Sequence, residues 1–329
     1  MAQKTWSKSL HALTTQFRLR APTPAMYSMS TCWNSHRHTD GRAMLLEIRD
    51  LGFDYAELSH GIRISLLPGI FQAVEAGEIQ ISSLHNFCPL PMGVERAAPN
   101  VYKFSAEDDR ERESAFKHTI RTLDTAVHVG AKLIVLHTGA VDMKDYTDRL
   151  IEMAGAGKQT TPKFGKLLAE ALERREQKKE RYVQHAFETL WKIVDEAKPR
   201  GVKLGIENRE ALEEIPFESD FDSFFKEFRD PTVVYWHDTG HAQIKENLGL
   251  ISHRLHLESL SGRLHGFHVH DVQFPGRDHR PPGVGTIDFA GLKDLVKPEH
   301  LKVFEFSPSV TLEEAQGGIT HLKSIWGPE

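Results

Sequence analysis

The chain has 329 residues, 40% of them hydrophobic, so it is long enough to bury a large core. Its formal net charge is -5, from 41 basic and 46 acidic side chains. Proteins that hold nucleic acid by its phosphates usually carry an excess of basic residues, so the composition argues against a nucleic-acid partner. The sequence also contains no apolar run of the roughly 18 residues that a membrane-spanning helix needs, and we expect no membrane partner.

The cysteines and the N-terminus bear on the compartment. Two thiols, Cys32 and Cys88, are too few for a disulfide framework in a chain of this length, so a reducing compartment, the cytoplasm, is expected. The segment before the first acidic residue, Asp40, carries the basic residues Lys4, Lys8, Arg18 and Arg20, a pattern weakly similar to an organelle transit peptide. We favour the simpler interpretation, in which residues 1–24 are a flexible extension and residues 25–329 form one domain.

Short apolar runs alternate with segments of helical periodicity along the chain. The runs cover residues 26–31, 55–59, 79–87, 133–138, 203–208, 233–237, 264–270 and 302–306. They are continuous rather than alternating, which is typical of parallel strands that are buried on both faces. Eight strand–helix units predict an α/β fold of the closed (β/α)8 TIM barrel type. An open doubly wound sheet is the alternative.

The segments between the strands contain the predicted helices. They cover residues 42–51, 108–129, 170–197, 220–228, 289–296 and 312–325. Basic and acidic side chains interleave over residues 174–181, which predicts a solvated outer helix. The connection over residues 139–170 has no strand pattern and contains several glycines. Because long loops are often functional and this one follows the fourth strand, we predict a mobile or partly helical lid over the barrel mouth.

Charged and imidazole side chains stand at the carboxyl ends of the third to eighth predicted strands. In chain order they are His85, His137, Glu207, His237, Asp238, His241, His268, His270, Asp271 and Glu305. The carboxyl ends of barrel strands converge on one mouth, where unpaired charges would be costly to bury. A divalent cation removes that cost by binding carboxylate oxygens and imidazole nitrogens. The pattern therefore predicts a metal site suited to Mn, Zn, Co or Mg.

The segment over residues 277–289 follows the seventh strand. Its turn Pro282-Gly283-Val284-Gly285 predicts a rigid loop with backbone amides available to an oxyanion or a phosphate. Asp288 is placed to cap the next helix. His279 lies next to the turn and adds to the evidence that this loop contacts a ligand.

These motifs resemble those of the xylose isomerase-like barrel superfamily, which includes sugar epimerases, inosose dehydratases and endonuclease IV. The resemblance runs from about residue 25 to residue 326. Its most specific pieces are Gly205-Ile206-Glu207-Asn208, Asp238-Thr239-Gly240-His241, His268-Val269-His270-Asp271, and His279 before Pro282-Gly283-Val284-Gly285. The resemblance implies that the metal is held by Glu207, Asp238, His268 and Glu305. It also implies that Glu207 and Glu305 form the catalytic acid–base pair.

Further residues are predicted to bind substrate. The superfamily's histidine three residues after the aspartate falls on His241. His85, His137 and His279 resemble additional metal ligands of the trinuclear zinc endonucleases, and otherwise are interpreted as groups that hydrogen-bond substrate. Glu57, at the end of the second strand, is predicted to hold a sugar hydroxyl, with a salt bridge as the alternative.

The resemblance implies a metal-dependent isomerase or epimerase that acts on a sugar or sugar derivative through a metal-stabilised enediolate. A keto-sugar lyase or dehydratase would use the same site and chemistry. An endonuclease IV-like phosphodiester hydrolase is a further alternative, but those enzymes carry an aspartate where this chain has Arg277, although Asp278 is adjacent. A non-catalytic sugar-binding barrel is disfavoured because every ligand is present. The expected partner is a small-molecule sugar, and a homo-oligomer is left open.

Overall fold

The computed structural model describes residues 26–328, so the predicted extension over residues 1–24 lies outside the described residues. Eight parallel strands line the centre: β1 (Tyr27–Ser30), β2 (Tyr55–Leu58), β3 (Gln80–His85), β4 (Leu133–Leu136), β5 (Lys203–Glu207), β6 (Val233–Asp238), β7 (Leu264–Val269) and β8 (Leu301–Phe304). Each strand pairs with its sequence neighbour, and β8 pairs with β1. The closed barrel is therefore confirmed, and the open sheet is excluded.

The helices surround this barrel. Within residues 26–328 they are α1 (Gly41–Asp50), α2 (Leu67–Glu75), α3 (Asp109–His128), α4 (Thr147–Gly155), α5 (Pro162–Arg200), α6 (Phe221–Glu227), α7 (Thr239–Asn247), α8 (His253–Leu260), α9 (Phe289–Leu292) and α10 (Leu312–Trp326). Two short antiparallel ribbons extend the mouth, one pairing Gly139–Ala140 with Glu214–Ile215 and one pairing Asp271–Gln273 with Arg277–Arg280. None of the described helices has the length and apolar character of a membrane span.

The barrel interior is a packed core separate from the layer between strands and helices. It is filled by the buried side chains of Leu133, Val135, Val234, Trp236, Leu301 and Val303. Trp236 requires a glycine on the neighbouring strand, because a Cβ on Gly266 would lie 2.4 Å from its ring. Since side chains of a strand alternate between its faces, the residues of the same strands that lie between these positions pack outward against the helices.

The segment over residues 139–170 is largely helical. It contains α4 and the first two turns of α5, which begins at Pro162 after the capping residue Thr161. Ile151 of α4 packs on the loop after β7, where a Cβ on Gly276 would lie 2.9 Å from its Cδ1. No residue of this segment lines the central cavity. The segment is therefore partly helical, as predicted, and it packs on a loop at the mouth end of the barrel, while its role as a cover of the mouth stays a prediction.

Helix α5 was predicted to be solvated, and Arg175 is an exception. Arg174 and Lys178 are exposed, but Arg175 is fully buried. Its guanidinium lies 2.5 Å from a carboxylate oxygen of Asp220 and donates to the backbone carbonyls of Leu212, at 2.7 Å, and Glu214, at 3.1 Å. Arg175 thus fastens the loop after β5 to the outer helix. A regular alternation of charges along a helix does not reveal which charge faces inward.

We predict that Arg175→Ala lowers the free energy of unfolding by about 3 kcal/mol, because it removes the buried cation that faces the carboxylate of Asp220 and leaves two carbonyls without this donor. Arg174→Ala, one residue away and exposed, should change it by less than about 0.5 kcal/mol. Urea unfolding of the two variants measures the difference. Equal stabilities would show that the buried guanidinium does not hold this loop.

Candidate active site

The strand pattern brings Glu207, Asp238, His268 and Glu305 together. Each is an inward-facing residue at the carboxyl end of its strand, two positions after an interior residue such as Trp236 in β6 or Val303 in β8. One ligand atom from each of the four lies within 4.8 Å of the others, and all four side chains are buried. Three carboxylates and one imidazole at this spacing could hold a divalent metal ion.

His268 lies at the centre of this group, with a carboxylate on each side of its ring. Its Nδ1 is 2.5 Å from Oε1 of Glu207 and 3.2 Å from Oε2 of Glu305. Its Nε2 is 3.1 Å from both carboxylate oxygens of Glu57. Burial lowers the pKa of His268, but the charges of Glu305, Glu57 and Glu207 outweigh burial and hold it well above the usual value. Without a metal, this imidazole therefore keeps both its protons.

Glu57 faces His268 and is not among the residues that line the cavity. Its side chain is fully buried and also accepts a hydrogen bond of 2.8 Å from Ser83 Oγ. A histidine that binds a metal through one nitrogen commonly donates its other N–H to a carboxylate, which fixes the ring. The position of Glu57 matches that arrangement, so its carboxylate is directed at His268 rather than at a ligand in the cavity.

The two glutamates are ionised in this environment. Burial raises the pKa of Glu207 and of Glu305, but the positive charge of His268 outweighs it and holds both pKa values well below the usual range. Hydrogen bonding to His279 also contributes at Glu305. Ionised carboxylates are the form that binds metal ions.

Asp238 combines two structural roles at the start of α7. Its Oδ1 accepts the backbone N–H of His241 at 2.7 Å and caps the helix, while its Oδ2 lies 3.0 Å from Nε2 of His270. Asn208 ties β5 to β6 by accepting the Asp238 N–H at 2.7 Å and donating to the Asp238 carbonyl at 2.9 Å. Gly240 is required here, because a Cβ would lie 2.0 Å from the ring of His270.

A cavity of about 460 Å³ opens above these residues, a size suited to a small molecule. Its lining includes Glu207, Glu305 and the four histidines predicted to bind substrate, namely His85, His137, His241 and His279. It also includes residues that the sequence analysis did not single out, notably His60, Arg209, Glu210 and Arg280. His60 lies two residues after the end of β2, and Arg209 lies two residues after Glu207. The strand-end pattern used for the other residues could have found both.

His279 lies on the rim of the site. Its Nδ1 is 3.0 Å from Asp278, its Nε2 is 3.7 Å from Oε2 of Glu305, and its ring stacks on His270 with a centroid separation of 4.2 Å. Burial lowers the pKa of His279, but Asp278 and Glu305 raise it well above the usual value. Its φ of 52° is left-handed, a conformation that is uncommon outside glycine and costs energy.

The backbone amides of the loop after β7 are not available to a ligand in the way the sequence predicted. Asp271 is buried and accepts the N–H groups of Gly283 and Gly285, each at 2.9 Å, and of Ile287 at 3.1 Å. It also accepts the N–H of Val272 at 2.8 Å. The Pro-Gly-x-Gly turn is therefore rigid because a carboxylate from the preceding strand end satisfies its amides.

Comparison with known proteins places the chain in a family. The family model described as xylose isomerase-like TIM barrel matches residues 45–322, most of the sequence. A search of curated protein sequences found no significant match. Solved structures with a similar fold include a D-tagatose 3-epimerase-like protein, at 16% identity over 91% of this chain and 96% of that chain with a TM-score of 0.63.

Two further structures share the fold. The 3-keto-D-glucoside 4-epimerase YcjR from E. coli is 15% identical over 91% of this chain and 99% of that chain, with a TM-score of 0.64. The IolI protein, described with a bound zinc atom, is 15% identical over 91% and 96%, with a TM-score of 0.59. At these sequence identities, the similar structures show that the fold is shared. The family model, in contrast, matches most of the sequence itself. The chain belongs to the xylose isomerase-like TIM barrel family.

Proposed function

We propose that this chain is a divalent-metal-dependent isomerase or epimerase that acts on a free or modified sugar. The observation that carries the proposal is the pair of buried glutamates, Glu207 and Glu305. Both line the cavity and both approach Nδ1 of His268, at 2.5 and 3.2 Å. The sugar epimerases among the similar structures support a sugar as the substrate class.

Glu207, Asp238, His268 and Glu305 would hold the metal, and Glu57 would orient His268. The donor set fits such an ion, because three buried carboxylates around one imidazole need positive charge to offset their burial. When bound, the ion would supply a Lewis acid that polarises a substrate carbonyl and stabilises the negative charge that develops on its oxygen. Mn, Zn, Co and Mg all accept this mixture of oxygen and nitrogen donors.

The glutamates would move the proton. One carboxylate would take the proton from the carbon next to the substrate carbonyl, and the other would return a proton. Return to the opposite face of the same carbon gives an epimer, and return to the neighbouring carbon gives an isomer. Two carboxylates from separate strands, Glu207 in β5 and Glu305 after β8, are the arrangement that such a two-sided transfer needs.

The histidines that line the cavity would position the sugar. His85 and His241 would offer Nε2 to hydroxyl groups. Both ring nitrogens of His137 already face partners, Asn100 and Arg209, so His137 would act by positioning Arg209. The raised pKa of His279 keeps it protonated. Its Nδ1 faces Asp278, so its Nε2 would be the donor, and it favours a substrate oxygen that carries partial negative charge. These side chains give the cavity polar walls, which suit a substrate that carries many hydroxyl groups.

The direct test is proton exchange. The metal-loaded protein is incubated in D2O with a panel of ketoses and keto-sugar glycosides, and products are followed by NMR and mass spectrometry. The proposal predicts deuterium at the carbon next to the carbonyl and an otherwise unchanged formula. A product lighter by water or by an aglycone would instead indicate a lyase or dehydratase. Absence of exchange on every sugar would contradict the proposal.

We predict that Glu207→Gln and Glu305→Gln each lower turnover by at least about 100-fold while the barrel stays folded, because an amide cannot accept the proton. Glu173→Gln, at an exposed glutamate of α5 that does not line the cavity, is the control and should retain activity. Initial rates, circular dichroism and metal content are measured together. Full activity in either of the first two variants, with metal bound, would refute the acid–base assignment.

Removal of the metal should lower the free energy of unfolding, and this loss should be larger at higher pH. A ligand that binds only the folded state adds about 2.7 kcal/mol at a free concentration of 100 times its Kd, so chelation should lower Tm by several degrees. Because the pKa of His268 is raised well above its usual value, a metal must displace a proton from this ring, and the gain should increase as the pH rises towards that raised pKa.

The control for metal removal is Asp238→Asn, since asparagine still caps α7 but is a weaker ligand. This variant should lose most of the response to chelation while keeping its fold. Thermal unfolding with and without EDTA, followed by re-addition of Mn²⁺, measures both proteins. A wild-type Tm that ignores exhaustive chelation would contradict a metal bound by these residues.

A further inference from the structure

We propose that Arg209 is a built-in cation that takes the place of a second metal ion between His85, His137 and Glu207. The chain would then bind one divalent ion, at the four residues proposed above, and the inference rests on that proposed site. The hydrogen atoms of the two histidines determine which of their ring nitrogens are left to accept.

His85 presents a lone pair towards the cavity. Its Nδ1 lies 2.8 Å from the backbone carbonyl oxygen of Asn86. A carbonyl oxygen can only accept, so in the neutral ring Nδ1 carries the hydrogen and Nε2 is the acceptor. This nitrogen points away from β3 towards His137.

His137 presents its lone pair to the same point. Its Nδ1 lies 2.8 Å from Oδ1 of Asn100. The orientation of that amide is fixed independently, because Asn100 Nδ2 donates to Glu214 at 3.3 Å. The amide oxygen therefore faces His137, Nδ1 of His137 carries the hydrogen, and Nε2 is again an acceptor.

Three acceptors thus converge without a hydrogen of their own. The Nε2 atoms of His85 and His137 are 3.1 Å apart, and Oε2 of Glu207 lies 2.8 Å from the His137 nitrogen. All three side chains are buried. Buried acceptors need a donor or a cation between them, and two imidazoles with one carboxylate are a common metal-binding set.

Arg209 supplies that positive charge. Its Nη1 lies 2.5 Å from Nε2 of His137 and 2.8 Å from Oε2 of Glu207. The other edge of the guanidinium donates to Oε1 of Glu214, from Nε at 3.2 Å and from Nη2 at 3.0 Å. The side chain is 4% exposed, and a guanidinium stays charged at every physiological pH.

The guanidinium is also held in place by Glu214, which is itself fixed by its neighbours. Glu214 accepts the N–H of Ala211 at 3.1 Å, and its backbone carbonyl is fixed by the buried Arg175 of α5 at 3.1 Å. Arg209 is therefore clamped between Glu214 on one side and His137 and Glu207 on the other. A second divalent ion at this point would displace the guanidinium into the cavity and leave buried Glu214 without its cationic partner, so the fixed charge excludes the ion.

Metal counting tests this inference without any substrate. Wild type, R209K and R209A are equilibrated by dialysis against excess Zn²⁺, and bound metal is measured by mass spectrometry. We expect one ion per chain in the wild type and in R209K, which keeps the positive charge, and two in R209A. The double variant R209A/H137A should return to one, because it lacks a ligand of the new site.

The wild type alone provides a second readout, in case R209A fails to fold. Loaded with Mn²⁺, it should give the electron paramagnetic resonance spectrum of an isolated ion, with no exchange coupling between two. Two ions or a coupled spectrum in the wild type, or a single ion in folded R209A, would overturn the inference. One ion in the wild type with no deuterium exchange on any sugar would contradict the proposed isomerase and leave this inference standing.

Discussion

The burial of negative charge is the constraint on which the rest of the site depends. Glu57, Glu207, Asp238 and Glu305 are all at most 3% exposed and surround one imidazole. Isolated buried carboxylates are costly, and the cost falls only when positive charge or hydrogen-bond donors face them. The proton kept by His268, the helix cap at Asp238 and the guanidinium of Arg209 each satisfy part of this requirement. A divalent ion at the centre would satisfy the remainder.

The barrel creates this constraint by geometry. Because side chains alternate along a strand, a strand that fills the interior with residues such as Trp236 must direct the next inward residue, Asp238, into the mouth. Successive inward-facing residues of the same strands thus form first the apolar interior and then the polar site. This is also why His237 is absent from the cavity: it faces outward, where its Nδ1 lies 2.7 Å from the hydroxyl of Tyr235 and its Nε2 lies 2.9 Å from His253.

The barrel fold and much of the candidate site could be predicted from the sequence. The predictions that failed did so for physical reasons. The eight strands were found because buried parallel strands are continuous apolar runs. Helices α7 and α8 were missed because polar and histidine residues interrupt their periodicity. The burial of Arg175 was missed because its partners, Leu212, Glu214 and Asp220, lie far away in sequence. Asp271 was misjudged for another reason: the sequence does not show that its carboxylate turns towards the amides of the loop that follows. Arg209 was missed because its significance depends on His137 and Glu214, which only the fold brings to it.

The central claim is that Glu207, Asp238, His268 and Glu305 bind a single divalent metal ion. Anomalous diffraction from crystals grown with Mn²⁺ tests it most directly, since the signal locates the ion independently of any activity. The account predicts one strong peak inside this group, within coordination distance of its oxygen and nitrogen donors. Absence of a peak there, or a peak at His85 and His137 instead, would contradict it.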